Sequence, residues 1–183
     1  MGKVLKKLLI IFGVFMSTAN AELVLENKKI LVVYYSWGGN TKDLATKIQK
    51  KTGGDIFELI QENPYPSTYD ETIKVAKSDV DSDFTPPLKG KVNNIEKYDV
   101  IFLGSPVWWG TIAPAVKTFL SENDLGGKII VPFVSHGGGG KGKTEAAVKK
   151  FAPKSNVLKV EQFYGKATEK EIEKWLEKLK KSN

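Results

Sequence analysis

The chain has 183 residues and a formal net charge of +7, with no cysteine and one histidine, and all 28 of its basic residues are lysine. This composition excludes disulfides, a catalytic thiol, thiolate metal ligands and any metal site built from several histidines. It also leaves no guanidinium to clamp a phosphate, so any redox chemistry must come from a cofactor held by amides, hydroxyls and lysines.

The first 21 residues have the pattern of a Sec signal peptide. Three lysines precede an apolar centre, residues 8–16, and the small residues Ala19-Asn20-Ala21 form a cleavage site. The apolar centre is shorter than the roughly 20 residues that cross a bilayer as a helix, which makes a permanent anchor the lesser alternative. We expect cleavage after Ala21, a short extension over residues 22–28, and one domain over residues 29–183 of an exported, periplasmic or secreted bacterial protein.

The first predicted strand, Lys29 to Tyr35, is apolar and β-branched after its lysine, as in a parallel strand buried on both faces. It leads into a helix predicted to start at Asn40 and to stop at Gly53-Gly54. The junction, Ser36-Trp37-Gly38-Gly39-Asn40-Thr41, brings N–H groups and hydroxyls to the positive end of the helix dipole, where a phosphate binds without a cation. The alternative is that Asn40 only caps the helix and the glycines only turn the chain.

A third strand, Asp99 to Gly104, is followed by a second informative junction. It is predicted to be a loop, Ser105-Pro106-Val107-Trp108-Trp109-Gly110, before Pro114 opens the next helix. Two neighbouring tryptophans on a loop favour a flat heteroaromatic partner, because exposing both would leave a large apolar surface in water. At least one of them is expected to pack into the core, since successive side chains of an extended segment point in opposite directions.

The other elements complete an alternation of strands and helices. Three further strands are predicted at Asp55 to Ile60, Lys128 to Ser135 and Asn156 to Phe163. The long connection after the second strand holds a helix from about Tyr69 to Lys77. The last helix starts with a capping box, Thr168 with Glu171, and its spacing places Trp175 in the core.

The segment from Gly137 to Thr144 satisfies the Walker A pattern, which makes a P-loop nucleotide triphosphatase a remote alternative. Such an enzyme also needs a strand that ends in an acid to hold magnesium. The third strand ends in a glycine, Gly104, and the only acidic residue of the fifth strand, Glu161, lies in its middle. The pattern is therefore better interpreted as a glycine-rich loop whose backbone approaches a ligand closely.

Together, the junctions at residues 36–41 and 104–111 and the helix from Pro114 to Leu120 resemble the flavodoxin family, and the similarity runs from about Lys29 to the C-terminus. The resemblance implies a three-layer, doubly wound α/β fold with a five-stranded parallel sheet in the order 2-1-3-4-5 and FMN at the carboxyl ends of the strands. The implied FMN contacts are Ser36, Trp37, Gly38, Gly39, Asn40, Thr41, Ser105, Pro106, Val107, Trp108, Trp109, Gly110, Ser135, His136, Gly137 and Gly138.

Within this resemblance, the phosphate rests on the first junction and one of the two tryptophans covers a face of the flavin ring. His136 lies beside the pyrimidine end of the ring or is merely structural, and Tyr65 or Tyr69 borders the flavin or is a packing residue. The loop after the fourth strand has no tyrosine to stack on the outer face of the ring, which leaves that face open to a substrate. No catalytic residue and no metal site are predicted.

The implied function is electron transfer by bound FMN to a redox partner protein or a small electron acceptor. The alternative is an FMN-dependent NAD(P)H:quinone-type oxidoreductase. Typical flavodoxins are strongly acidic, whereas this chain is basic even after the three lysines of the signal peptide are removed, so docking through an acidic rim is not expected. The sequence has no pattern of a nucleic-acid-binding module.

Overall fold

The computed structural model describes residues 25–181, and the predicted signal peptide lies outside them. The elements, in chain order, are β1 (Ile30–Tyr34), α1 (Asn40–Thr52), β2 (Asp55–Glu58), α2 (Tyr69–Asp81), β3 (Val100–Trp108), β4 (Thr111–Ile112), α3 (Pro114–Glu122), β5 (Ile129–His136), α4 (Thr144–Phe151), β6 (Asn156–Val157), β7 (Glu161–Tyr164) and α5 (Glu169–Lys181). A short 3-10 helix, Ile95–Lys97, precedes β3. Between residues 25 and 181, no helix combines the length and the apolar character that crossing a bilayer requires.

The strands form a parallel sheet in the order β2-β1-β3-β5, with β6 and β7 both beside β5. Since β6 and β7 together take the place of the fifth predicted strand, the predicted order 2-1-3-4-5 is confirmed. Tyr34 pairs with Gly104, and Gly104 pairs with Phe133, so β1, β3 and β5 end at the same edge. The chain changes direction of winding between β1 and β3, which is where α/β sheets of this kind bind ligands.

Helices cover both faces of the sheet, which gives three layers. On one face α1 and α5 pack on β3 and β5, and Trp175 of α5 makes edge-to-face contacts with Phe102 and Phe163. On the other face α3 and α4 bury Phe119 and Val148. The predicted core position of Trp175 is confirmed, because this side chain is buried among aromatic rings that the sheet presents.

The capping box of the last helix is confirmed. The Thr168 amide donates to the Glu171 carboxylate at 2.7 Å, and the Glu171 amide donates to the Thr168 hydroxyl at 3.2 Å. The predicted bounds of α1, a start at Asn40 and a stop at Gly53-Gly54, are also confirmed. The alternative that Asn40 caps this helix is wrong, because the cap is Gly39, in the left-handed region with φ of 85°. The predicted end of α2 near Lys77 is wrong as well, since this helix continues to Asp81.

The segment predicted as a tryptophan loop is instead the end of a strand and a hairpin, and this part of the prediction is wrong. β3 continues past Gly104, and its Val107 and Trp108 pair antiparallel with Ile112 and Thr111 of β4. The turn residues Trp109 and Gly110 have φ of 46° and 76°, as a two-residue type I′ turn requires. The sequence does not predict this turn, because tryptophan is an unusual residue at positive φ and because Pro106 disfavours a strand in the middle of a sheet.

Candidate functional site

The junctions singled out in the sequence lie together at the carboxyl edge of the sheet. The first, residues 36–41, follows β1, the hairpin of residues 107–112 follows the parallel part of β3, and residues 137–143 follow β5. β3 lies between β1 and β5. Register therefore places the hairpin between the other two segments.

The first junction presents backbone donors to solvent. The Gly39 amide donates to the Ser36 hydroxyl at 3.1 Å, and the first hydrogen bond of α1 runs from the Asp43 amide to the Gly39 carbonyl at 3.0 Å. The amides of the residues between them, from Asn40 to Lys42, precede the helical ladder and are left without an intrahelical acceptor. Gly38, Gly39 and Asn40 are exposed, so an anion can reach this helix start.

Thr41 lies differently from the rest of this junction. Its side chain is 1% exposed, and its hydroxyl shares a buried hydrogen bond of 2.8 Å with the hydroxyl of Ser135, which is also buried. Each hydroxyl therefore has a partner inside the protein, and what Thr41 can offer a ligand directly is its amide. The bond also ties the start of α1 to the end of β5.

Ser105 and Pro106 belong to the parallel part of β3, where they pair with Val134 and Ser135 of β5, rather than to an open loop. The Ser105 hydroxyl accepts from the Ala113 amide at 2.9 Å and donates to the Pro106 carbonyl at 2.8 Å. Ser105 is buried, so its side chain holds the hairpin to the body of the sheet. This bonding fixes the direction in which Trp108 and Trp109 leave the strand.

The two tryptophans have different surroundings, because Trp108 ends β3 and Trp109 is the first residue of the turn. Trp108 is half-buried and meets the ring edges of Tyr35 and Tyr65, with centroids 5.7 Å and 5.0 Å away. Trp109 is 44% exposed, and its ring is perpendicular to that of Trp108. The expectation that at least one tryptophan packs into the core is confirmed by Trp108.

Tyr65 is a packing residue that supports Trp108. Its hydroxyl donates to the Asp79 carboxylate of α2 at 2.7 Å. Burial, reinforced by Asp79, raises the pKa of Tyr65 far above its ordinary value, so the phenol stays protonated and remains the donor. The bond links the connection after β2 to α2 behind the tryptophan.

An uncharged aromatic cleft opens between the first junction, the hairpin and α2. Its walls are the rings of Trp37, Tyr69, Trp108 and Trp109, and Thr72 and Ala76 of α2 form part of its lining. The Trp37 indole N–H donates to the Pro66 carbonyl at 3.0 Å, which fixes that wall. The cleft has a volume of about 160 Å³, below the roughly 300 to 1,000 Å³ of a complete small-molecule site, so it accepts one part of a ligand.

The third segment is glycine-rich but is held by the protein itself. The Lys143 amide donates to the Gly110 carbonyl at 2.6 Å, and the Thr144 hydroxyl, which is buried, donates to the Lys141 carbonyl at 2.7 Å. In a P-loop that amide and that hydroxyl face phosphate and magnesium. Here both are bonded within the fold, which removes the basis of the triphosphatase alternative.

His136 ends β5 and stands at the entrance of the same segment. Its Nδ1 accepts from the Gly138 amide at 3.1 Å, and its ring lies edge-on to Tyr164, with centroids 5.9 Å apart. Gly137 and Gly138 are exposed. The histidine is thus partly engaged in shaping the loop, and its predicted place beside a flavin stays a prediction.

Sequence reasoning missed three contributors to this edge of the sheet. The lining residues of α2 were not considered, although Thr72 and Ala76 recur at helical spacing after Tyr69. The end of β7 was also overlooked: Tyr164 is 75% exposed beside His136, and Gly165 lies against the side chain of Asn40. The carboxyl-end rule for parallel sheets would have pointed to Tyr164 and Gly165 once the fifth strand was predicted.

Within residues 25–181, no group of three or more acidic or histidine side chains has the arrangement of a metal site. The donors at the carboxyl edge are instead amides and a serine hydroxyl, next to an aromatic cleft. Such a set at the switch point of a doubly wound sheet defines a nucleotide-binding α/β protein.

Comparison with known proteins makes the class more specific. The flavodoxin family model matches residues 29–179, so the chain belongs to the flavodoxin family. A protein of Bacteroides eggerthii, provisionally assigned as a flavoprotein, is 32% identical, and the match covers 84% of this chain and 98% of that one, with a TM-score of 0.76.

Two further solved structures are similar. A protein of Bacteroides uniformis, with the same provisional assignment, is 26% identical over 82% of this chain and 98% of its own, with a TM-score of 0.73. A flavoprotein of Lactobacillus acidophilus, solved in complex with FMN, is 27% identical over 81% of this chain and 99% of its own, with a TM-score of 0.67.

Proposed function

We propose that the chain binds FMN at the carboxyl edge of its sheet and transfers electrons through it to a redox partner protein or a small acceptor. The observation that carries this proposal is the exposed start of α1, with its glycines and Asn40, beside the uncharged aromatic cleft. Amides at that helix start suit a phosphate, and the aromatic walls suit part of a flat ring. The two halves of FMN need these two environments side by side, and the Lactobacillus acidophilus structure with FMN supports the assignment.

Each part of the site has its own role in this proposal. The Ser36 hydroxyl and the amides of Gly38 and of residues 40–42 hold the phosphate, and Trp109 covers one face of the ring. The exposed residues Gly137 and Gly138 approach the pyrimidine end. Bound FMN supplies the electron-transfer chemistry, while these residues bind it, orient it and limit the access of water.

A second candidate is an FMN-dependent NAD(P)H:quinone-type oxidoreductase. The cleft favours it, because none of its lining residues is charged, so an uncharged aromatic acceptor such as a single-ring quinone suits the part of the cleft that the flavin leaves free. Steady oxidation of NADH or NADPH with a quinone and no added reductase selects this candidate, whereas its absence across acceptors selects the electron carrier.

Export is part of the proposal and is supported by the N-terminal sequence pattern alone. The domain boundaries carried with it are a signal peptide over residues 1–21 and a functional domain over residues 29–183. Intact-mass measurement of the secreted or periplasmic protein should find Glu22 as the first residue. An uncleaved N-terminus on protein from the cytosol would contradict export.

The direct test of FMN binding is titration of the purified protein with FMN, with riboflavin and with ATP plus magnesium. We expect FMN to bind more tightly than riboflavin, with a change in the visible spectrum, and ATP not to compete. A protein that stays colourless with FMN but binds ATP with magnesium would overturn the proposal.

The role of the first junction is tested by Ser36→Ala. This substitution removes a hydroxyl from the phosphate subsite, so FMN affinity should fall about tenfold, the effect of roughly 1.5 kcal/mol for a hydrogen bond to a charged group. Riboflavin affinity should change less than about twofold, because riboflavin lacks the phosphate. Thr144→Val is the matched control: it removes a hydroxyl from the Walker-like segment and should leave the ratio of the two affinities unchanged. Equal losses for both ligands in Ser36→Ala would contradict the assignment.

A further inference from the structure

The edge strand β7 carries Gln162, which holds the glycine-rich segment after β5. Its Oε1 accepts a hydrogen bond from the Lys141 amide at 2.8 Å. Gln162 pairs in parallel register with Val134, two residues before His136, so its side chain reaches forward past the end of β5. The contact therefore spans from the edge of the sheet to the middle of the segment.

The local backbone fits this contact closely. Gly140 has φ of 66°, and a Cβ at that position would lie 3.3 Å from Gln162 Oε1. Only a residue without a side chain adopts this conformation at this distance without strain. At the other end, the Lys143 amide donates to Gly110 of the hairpin. The segment is thus fixed on one side to β7 and on the other to the tryptophan hairpin.

The exposure of Gln162 indicates how much its hydrogen bond contributes to the stability of the fold. The side chain is exposed, so the Lys141 amide finds water when Gln162 is replaced, and the free energy of unfolding changes little. The same replacement releases the segment from β7. A side chain in this position contributes more to the placement of residues 137–140 than to the stability of the fold.

We propose that Gln162 is a positioning residue for the flavin ring, which it serves by holding the segment of residues 137–141 in the place where its exposed glycines meet the ring. This inference rests on the proposed function, because the ring is that of the FMN proposed above. It extends the site to β7, a strand that supplies no FMN contact in the prediction from sequence.

The test replaces Gln162 by leucine, which has similar bulk and no acceptor. Gln162→Glu keeps an acceptor oxygen on a side chain of the same length, and Glu161→Gln is the matched control on the same strand, since the structure gives Glu161 no contact with the segment. Two quantities are measured on each variant: the rate of tryptic cleavage after Lys141, followed by mass spectrometry, and the affinities for FMN and riboflavin.

In Gln162→Leu we expect cleavage after Lys141 to be several times faster and both flavins to bind about fivefold more weakly, as for the loss of one ordinary hydrogen bond. The loss should be equal for FMN and riboflavin, because the ring and not the phosphate is affected. The thermal midpoint should be unchanged, Gln162→Glu should restore both quantities, and Glu161→Gln should behave as the wild type.

Three outcomes overturn the proposal. Unchanged cleavage shows that Gln162 does not hold the segment, and faster cleavage with unchanged affinities shows that the held position does not serve the ring. A wild-type protein that binds neither flavin removes the proposed function and this inference with it, whereas the cleavage rates still report on the tether. The failures of the two proposals are therefore distinguishable.

Discussion

Two glycine-rich segments of this protein look alike in sequence and are used differently. Residues 36–41 and residues 137–144 both connect a parallel strand to a helix, and both end in a buried threonine. In the first, the amides from Asn40 to Lys42 precede the helical ladder and the glycines are exposed. In the second, the amides of Lys141, Lys143 and Thr144 are bonded to Gln162, Gly110 and Lys141.

A glycine-rich pattern indicates which conformations a backbone can adopt, but not whether its amides bind a ligand or other parts of the protein. A P-loop and a packed connection need the same conformational freedom. The neighbours decide between them, because an amide bonded inside the protein is no longer available to an anion. Substitutions in each of the two segments measure how firmly the segment is packed.

The largest effect is expected from Gly142→Ala. Gly142 has φ of 53°, and a Cβ there would lie 2.3 Å from the Gly110 carbonyl oxygen, against rigid backbone. Strain and displacement together should lower the free energy of unfolding by about 2 to 4 kcal/mol, measured by urea denaturation. Gly137→Ala has open space and an ordinary φ, so it should stay within about 1 kcal/mol of the wild type. Similar values for both variants would show that the segment is not packed as described.

An intermediate effect is expected from the buried threonine of the first segment. Thr41→Val leaves the Ser135 hydroxyl buried and unpaired, which should cost about 1 to 3 kcal/mol of unfolding free energy. The double variant Thr41→Val with Ser135→Ala should recover part of that loss, because neither hydroxyl is then left without a partner. Additive single losses in this double-mutant cycle would mean that the two hydroxyls do not share a hydrogen bond.

The smallest effect is expected at the first turn of α4. Its Glu145 bonds Lys149 at 2.7 Å, and this bond, with smaller contributions including Lys141, holds the pKa of the carboxyl below its usual value. A carboxyl whose pKa is lowered by folding stabilises the folded state when the pH is above the pKa of the unfolded chain, near 4.5. This stabilisation is lost as the pH falls through the pKa of the folded state.

Glu145→Gln should therefore be less stable than the wild type by about 0.3 to 0.5 kcal/mol at pH 7, the size of an exposed helical ion pair. The difference should shrink as the pH falls below 4.5 and disappear once the pH has passed the lowered folded-state pKa, since the wild-type carboxyl is then protonated too. Thermal midpoints of both proteins across this pH range provide the measurement. A difference that is constant with pH would contradict the ion-pair explanation.

The sequence patterns alone determined the strands, the helices and the first junction, whereas the sheet order came from the resemblance to the flavodoxin family. Buried parallel strands have continuous apolar runs, amphipathic helices have a clear period, and a helix start next to glycines has few conformations, so each can be derived from neighbours along the chain. The capping box at Thr168 and the buried Trp175 follow from the same local patterns.

Tertiary structure alone decided which polar groups are free for a ligand. Thr41 and Ser135 are 94 residues apart and share one hydrogen bond, and Lys141 meets Gln162 through the neighbouring strand. Trp109 can adopt a positive φ because the β3–β4 hairpin imposes it. Such outcomes depend on contacts between distant segments, and no local pattern contains the position of a distant partner. The chain therefore determines its own fold locally, whereas the chemistry of its site emerges only when the strands are brought side by side.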